Sequence, residues 1–271
     1  MKQTTGNGAA VVGTSATGPF EANVYDHNHT NLESRKGNGA MPASVTMPLM
    51  RGYPPQDPSE SLFEHVSWLY IFCREKLFRD DTDRIITALW ADGSPRAGDK
   101  MIELGCGPGF YSCRFAKRFC QLSVVGVDRS ERQLAWARER AKEAALENCQ
   151  FERVNVLDIP CSDTTFNTLI ASRLFTVLAE REKAIAEIYR VLTAGGRCFV
   201  AEPRSAFRAS VPLLAMWLLA RITRLENGYR EPRKAVVMSG DDFRGLFATQ
   251  PWKYFECWQD DRYQYALCEK G

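Results

Sequence analysis

The 271 residues carry 35 Lys and Arg against 33 Asp and Glu, a net charge of +2, and 45% of them are hydrophobic, enough to bury a sizeable core with room for an appendage. The balance of charge excludes a whole-protein field that would gather nucleic acid or a strongly acidic partner. Nine scattered cysteines without a C-x-x-C pair exclude a disulfide framework or zinc ribbon and read as the reduced thiols of a cytoplasmic protein.

Residues 1–58 are rich in Gly, Ser, Thr, Asn and Pro, with few periodic apolar positions. Burial then offsets little of their ordering entropy, and a flexible arm is expected. Its start holds one lysine and no apolar run longer than Ala9–Val12, which is not a secretory signal. His27 and His29 stand two apart in VYDHNHTN, where a solvated loop accounts for them, and no metal is expected. After PPQDPSE, residues 59–98 read as a helical cap: Leu62, Val66, Leu69, Cys73 and Leu77 recur at spacings of 4, 3, 4 and 4, with His65 among them.

From residue 101 short apolar runs alternate with helical patterns. Met101–Leu104, Val124–Val127, Phe151–Val156, Thr168–Ser172 and Cys198–Ala201 read as strands. Between them, SERQLAWARERAKEAALEN opens on a capping box, Ser130 with Gln133, and REKAIAEIYRVLTAGG predicts a helix stopped by Gly195-Gly196. Strands that alternate with helices need crossovers, so the fold class is α/β with a mainly parallel sheet covered on both faces. The tail holds a short helix, SGDDFRGLF, and two β-rich runs, WKYFECW and RYQYALCEK, that predict a hairpin and an antiparallel last strand.

MIELGCGPGF places Gly105, Gly107 and Gly109 directly behind the first strand, where glycine permits positive φ and removes the β-carbon that keeps a ligand from the backbone. The dinucleotide fingerprint requires G-x-G-x-x-G; here the spacing is G-x-G-x-G, and Phe110 stands where the third fingerprint glycine would fall. Asp128 ends the second strand, placed to accept ribose hydroxyls. Asp158 follows the third, placed to accept from an adenine amino group. Either aspartate alone suits a helix cap or turn; at these intervals behind a glycine turn they suit an adenosine-type cofactor.

IELGCGPGFYS, VVGVDRS, VNVLDIPCSDTTFNTLIASRLFTVL, AIAEIYRVLTAGGRCFVAEP and the MSGDDFRGLF-to-hairpin tail together resemble the class I S-adenosylmethionine-dependent methyltransferases. The nearest likeness is to the small-molecule branch that includes ubiquinone and menaquinone C-methyltransferases, and it runs from about residue 85 to 269. The resemblance implies a Rossmann-like seven-stranded sheet over residues 99–271, S-adenosyl-L-methionine as cofactor and a small-molecule acceptor. It implies that Glu103 and the turn Gly105, Cys106, Gly107 and Gly109 hold the methionine and ribose part. Asp128 would then take the ribose hydroxyls, Arg129 flank the adenine, Leu157 and Asp158 present backbone and carboxylate to it, and Ser172 close the far side. Where that family usually has Phe-Asp before the fourth strand, this chain has Phe166-Asn167, a change at a structural position. Methyl transfer from a sulfonium needs no obligatory catalytic side chain, because orientation alone supplies roughly 7 to 11 kcal/mol of the barrier. The catalytic residues are therefore left unknown, with His65 and Arg173 as candidates.

Residues 203–238 form an insert with the apolar centre VPLLAMWLLARI, shorter than the ~20 residues of a membrane span. It reads as a buried helix, a cover over a lipophilic acceptor pocket, or a peripheral membrane contact through 211–222. Two further readings of the whole chain stay open: a noncatalytic interaction module that keeps the fold, and a nicotinamide-dependent oxidoreductase. A protein or RNA methyltransferase lacks its expected basic groove, and ASRLF after the fourth strand (residues 171–175) replaces the Pro-Pro-aromatic motif of amino-methylating nucleic-acid enzymes.

Overall fold

The computed structural model describes residues 79–222 and 236–271, together with 68, 69 and 72. The predicted arm with His27 and His29, and residues 59–67, 70–71 and 73–78 of the predicted cap, His65 among them, lie outside the described residues.

Helix α1 (Thr82–Leu89) leads into β1 (Lys100–Leu104), α2 (Phe110–Arg118), β2 (Ser123–Asp128), α3 (Glu131–Glu143) and β3 (Cys149–Arg153). Then come β4 (Phe166–Ser172), α4 (Arg181–Val191), β5 (Leu192–Pro203), α5 (Ala206–Ile222), α6 (Gly240–Phe247), β6 (Trp252–Gln259) and β7 (Tyr263–Lys270). The strands form one sheet in the order β3-β2-β1-β4-β5-β7-β6, parallel except where β7 runs against β5 and β6. Strand order reverses between β1 and β4, and in open α/β sheets ligands bind in the crevice outside the carboxyl ends at that point.

Two cores follow from the side-chain alternation of buried strands. Met101, Val124, Ile170 and Phe199 face α1, α2 and α3 through Ile85, Leu89, Phe115, Leu134 and Ala137. Ile102, Val125, Leu169 and Val200 face α4 and α6 through Ile185, Ile188, Phe243 and Phe247.

Local chemistry sets the boundaries. Ser130 caps α3, its hydroxyl accepting the Gln133 N–H at 3.2 Å. The expected reciprocal half of the capping box is absent, because the Ser130 N–H donates to Asp128 Oδ1 at 2.9 Å. Strand β3 ends at Arg153 rather than at Val156, since the Asn155 side chain accepts the Leu157 N–H at 3.1 Å and turns the chain out of the sheet. Gly195-Gly196 does not stop α4, which ends at Val191. Instead the Lys270 ammonium donates to the carbonyls of Tyr189 and Leu192 at 2.7 and 2.8 Å, a cation on the helix C-terminus supplied by β7. The two glycines lie where the β4–β5 register jumps from Phe166↔Leu192 to Thr168↔Arg197. Asn167 has a structural role: its Oδ1 accepts the Lys100 N–H at 2.9 Å and joins β4 to β1.

Candidate functional site

The turn after β1 is built as much by packing as by ligand access. Gly105 and Gly109 have φ of 66° and 73°, the left-handed region that costs an L-residue roughly 1–2 kcal/mol. A β-carbon at Gly109 would lie 2.8 Å from Phe151 Cζ and 2.9 Å from Ala137 Cβ, so this glycine lets α2 settle against β3 and α3. One at Gly105 would lie 3.0 Å from Leu174 Cδ1, which brings the turn after β4 against the turn after β1. Gly126 on β2, which sequence reasoning passed over, has the same office: its β-carbon would meet Phe151 at 2.6 Å and Ser112 Oγ at 2.8 Å. Cys106 is buried in this turn, its thiol pushed well up by burial and by the charges of Asp128 and Glu103, which leaves it an unreactive thiol.

Two carboxylates hold the turn. Glu103, on β1 and 3% exposed, accepts the Ser112 N–H at 2.7 Å and the Ser112 hydroxyl, and so fixes the first turn of α2. At the end of β2, Asp128 accepts the Gly107 N–H through one oxygen and the Ser130 N–H through the other, both at 2.9 Å. An ionised carboxylate accepts up to about four hydrogen bonds, so a group of this kind can serve hydroxyl donors as well as backbone ones. Arg129 beside it is exposed, and its carbonyl accepts from Arg153 Nε at 3.1 Å. One turn from Ala137 towards this end of α3 is Gln133, 1% exposed, whose amide oxygen and nitrogen have no hydrogen-bond partner. Such a group costs about 1–3 kcal/mol. Periodicity marks Gln133 only as a cap residue, so its orphaned amide was not visible from the chain.

Beyond β3, Asn155 organises the turn that carries Leu157 and Asp158. Its side chain accepts the Leu157 N–H and its carbonyl accepts the Asp158 N–H, at 3.1 and 3.0 Å, leaving the Asp158 carboxylate exposed at the tip. The segment that follows is clamped to α4. Glu187 accepts the Ile159 N–H at 2.8 Å, and the Arg190 guanidinium donates to the carbonyls of Ile159 and Cys161 at 2.7 and 2.9 Å.

Ser172 ends β4, half-buried beside Ala201 of β5. Arg173 follows with φ 59°, a left-handed non-glycine conformation of the kind that gathers at functional sites, and its Nη1 donates to the Tyr263 hydroxyl at 3.2 Å. Glu202, 1% exposed near the end of β5, accepts the N–H groups of Phe175 and Thr176 at 2.9 and 3.2 Å and so shapes the turn after β4. Burial raises its carboxyl to about 7, against the opposing pull of those N–H groups and of Arg173. On the same edge the Tyr265 hydroxyl donates to Asp260 at 3.0 Å and to Asp81 at 3.4 Å, and Arg79 pairs with Asp260 at 2.7 Å. Burial opposes ionisation of Asp260, but the N–H groups of Tyr263 and Arg262 outweigh it and hold the carboxyl at about 2.

The structure thus gathers Gly105–Gly109, Asp128, Leu157–Asp158 and Ser172–Arg173 at the carboxyl ends of β1 to β4, around the point where strand order reverses.

Among known proteins, the chain is similar to the ubiquinone/menaquinone biosynthesis C-methyltransferase UbiE of Roseobacter denitrificans, 28% identical over 164 residues, covering 57% of this chain and 66% of that one. It is 34% identical over 116 residues to the demethylmenaquinone methyltransferase of Thermus thermophilus, covering 41% and 52%. The chain therefore spans between half and two thirds of the length of these relatives. In fold it resembles the phosphoethanolamine N-methyltransferase 2 of Haemonchus contortus, solved with S-adenosyl-L-methionine, at a TM-score of 0.58 and 13% identity over 78% of this chain and 60% of that one. The methyltransferase domain family matches residues 95–266, more than half of the sequence, and the chain belongs to that family.

Proposed function

We propose that the protein transfers a methyl group from S-adenosyl-L-methionine to a small lipophilic or aromatic acceptor, within a methyltransferase domain spanning residues 99–271. The observation that carries this reading is Asp128, whose carboxylate bridges the Gly107 and Ser130 N–H groups at the carboxyl ends of β1 and β2, beside the point where strand order reverses. The residues present fit an adenosyl cofactor. Asp128 receives the ribose hydroxyls, the exposed Asp158 carboxylate receives the adenine amino group, and the orphaned Gln133 amide gains partners on this side. Arg129 flanks the adenine, the turn through Gly105, Cys106, Gly107 and Gly109 carries the backbone that faces the methionine end, and Ser172 closes the far wall. Glu103 acts through Ser112, holding the turn in shape.

Bound there, the cofactor supplies an electrophilic methyl group on a sulfonium. The chain's task is to fix the line of approach and keep water out. The turn after β4, pinned by Glu202 and set against Gly105 through Leu174, forms the boundary between cofactor and acceptor. The Arg173 guanidinium offers donors and no acceptor, and so orients or neutralises an acceptor oxygen rather than removing a proton. Residues 223–235 of the insert 203–238 lie outside the described residues, and its described part, α5, stands on the acceptor side. Its return is marked by the Val236 N–H on the Thr176 carbonyl at 3.3 Å. The eight described cysteines are free thiols, which supports a cytoplasmic setting. No nucleic-acid partner is proposed.

Calorimetric titration tests the reading. S-adenosylmethionine should release heat on binding while NADH does not, and Asp128→Ala should raise the cofactor dissociation constant by about tenfold or more, the worth of one charged hydrogen-bonding group. No heat from the native chain would favour a noncatalytic module, and an unchanged constant in Asp128→Ala would remove the ribose from this carboxylate.

A further inference from the structure

Helix α5 is apolar on every side yet only half covered. Its 17 residues, Ala206 to Ile222, contain no acidic side chain and two basic ones, Arg208 and Arg221. Leu213 and Met216 are 5% and 0% exposed, the inner side that packs on the domain. Val211, Leu214, Leu218 and Ile222 are 40%, 41%, 60% and 68% exposed, and their spacings of 3, 4 and 4 put them on one stripe opposite Leu213 and Met216. Covering an acceptor pocket would call for the inner side alone. An ordinary surface helix would be polar along the outer stripe.

We infer that this outer stripe docks on an anionic lipid surface. The helix is about 25 Å long and lies too short to span a bilayer, and among the described residues no helix is long and apolar enough to cross a membrane. A stripe of branched aliphatic side chains seats in the boundary between headgroups and acyl chains, with cations along its margin. The charge distribution selects that occupant over another apolar protein face. Residues 203–238 hold seven Lys and Arg against two Glu, an excess of five in a chain whose overall excess is two, so the remainder of the chain is net acidic. An excess of this size attracts the segment to a negative leaflet. Arg221, exposed between Leu218 and Ile222, places one such charge on the stripe itself.

Helix α5 begins three residues after β5 ends, at the same edge of the sheet as Ser172 and Arg173. A lipid surface held there meets the acceptor end of the site. Delivery of a lipid-dissolved acceptor rests on the methyl-transfer reading above, whereas docking rests on the helix alone.

The test is co-sedimentation of the full chain with vesicles of phosphatidylcholine alone and of phosphatidylcholine with phosphatidylglycerol, at low and high salt. Binding should require the anionic lipid and weaken with salt. The triple variant Leu214→Asn, Leu218→Asn, Ile222→Asn should lower partitioning by about tenfold or more. These side chains point away from the core, and calorimetry with S-adenosylmethionine on the same variant reports whether fold and cofactor site survive. Native-like vesicle binding by a folded triple variant overturns the docking, as does no binding of the native chain to either vesicle. A concentration-dependent dimer that the triple variant abolishes, without vesicle binding, assigns the stripe to a second copy and also overturns it. Vesicle binding without any cofactor binding would leave docking intact and sink only the methyl-transfer reading.

Discussion

The two sides of the site are held by different kinds of contact. On the proposed adenosyl side, at the ends of β1, β2 and β3, the hydrogen-bond partners are close in the chain: Gly107 and Asp128 are 21 residues apart, Asp128 and Ser130 two, Asn155 and Leu157 two. On the proposed acceptor side, around β4, β5 and β7, Arg173 and Tyr263 are 90 residues apart and Asp81 and Tyr265 are 184 apart. The hydrogen bonds of the first side close within single turns or across one strand-helix-strand unit. The second exists only once the sheet has closed around β7.

Substitutions on each side sharpen or break that contrast. The largest effect belongs to Gly109→Ala, where a left-handed φ and contacts at 2.8 and 2.9 Å coincide. A loss of about 4 kcal/mol in urea unfolding is expected from strain and overpacking together. Gly195→Ala, with φ 71° but open space around it, should lose only about 1 kcal/mol. Equal losses would mean that packing against Phe151 contributes nothing to the turn.

On the acceptor side, Glu202 should impose a pH dependence. Its carboxyl is raised from 4.5 to about 7 by burial, with Arg173 the charged group acting against it. A raised folded value means stability that is full below pH 4.5 and is lost as pH rises through 7, a fall of about 3 kcal/mol. Glu202→Gln should flatten that slope across pH 4.5 to 7.5 in denaturation curves, with little change in cofactor affinity. A slope that persists in the variant would place its origin in another group.

The smallest and most discriminating change is Gln133→Leu. Relief of a buried unpaired amide should raise the stability of the cofactor-free protein by about 1 kcal/mol while cofactor affinity falls, since the two effects have opposite signs. A variant that is less stable and binds S-adenosylmethionine as well as the native chain would show the amide to be a packing element with no part in the site.

The turns at the ends of β1 and β2 were legible in the sequence because their geometry is backbone geometry: Gly105 and Gly109 announce positive φ, and Asp128 ends an apolar run. What escaped there was packing. Gly126 reads as an unremarkable strand residue until Phe151 is found beneath it, and Gln133 reads as half of a capping box until its amide is found buried. The same lesson holds for Gly195-Gly196, read as a helix stop when the helix ends at Val191, with the chain extended at Leu192 and carbonyls of that end met by Lys270, 79 residues beyond Val191.

Local stereochemistry and hydrophobic period, both properties of neighbouring residues, determined from the sequence alone the α/β class, the alternation of strands and helices and the place of the glycine turn. Only the tertiary structure decided that Glu202 shapes the turn after β4, that Tyr263 meets Arg173, and that one stripe of α5 faces outward. Those outcomes depend on which distant segments the closed sheet brings together, and α5, apolar all round, has no pattern of its own to say which side is covered.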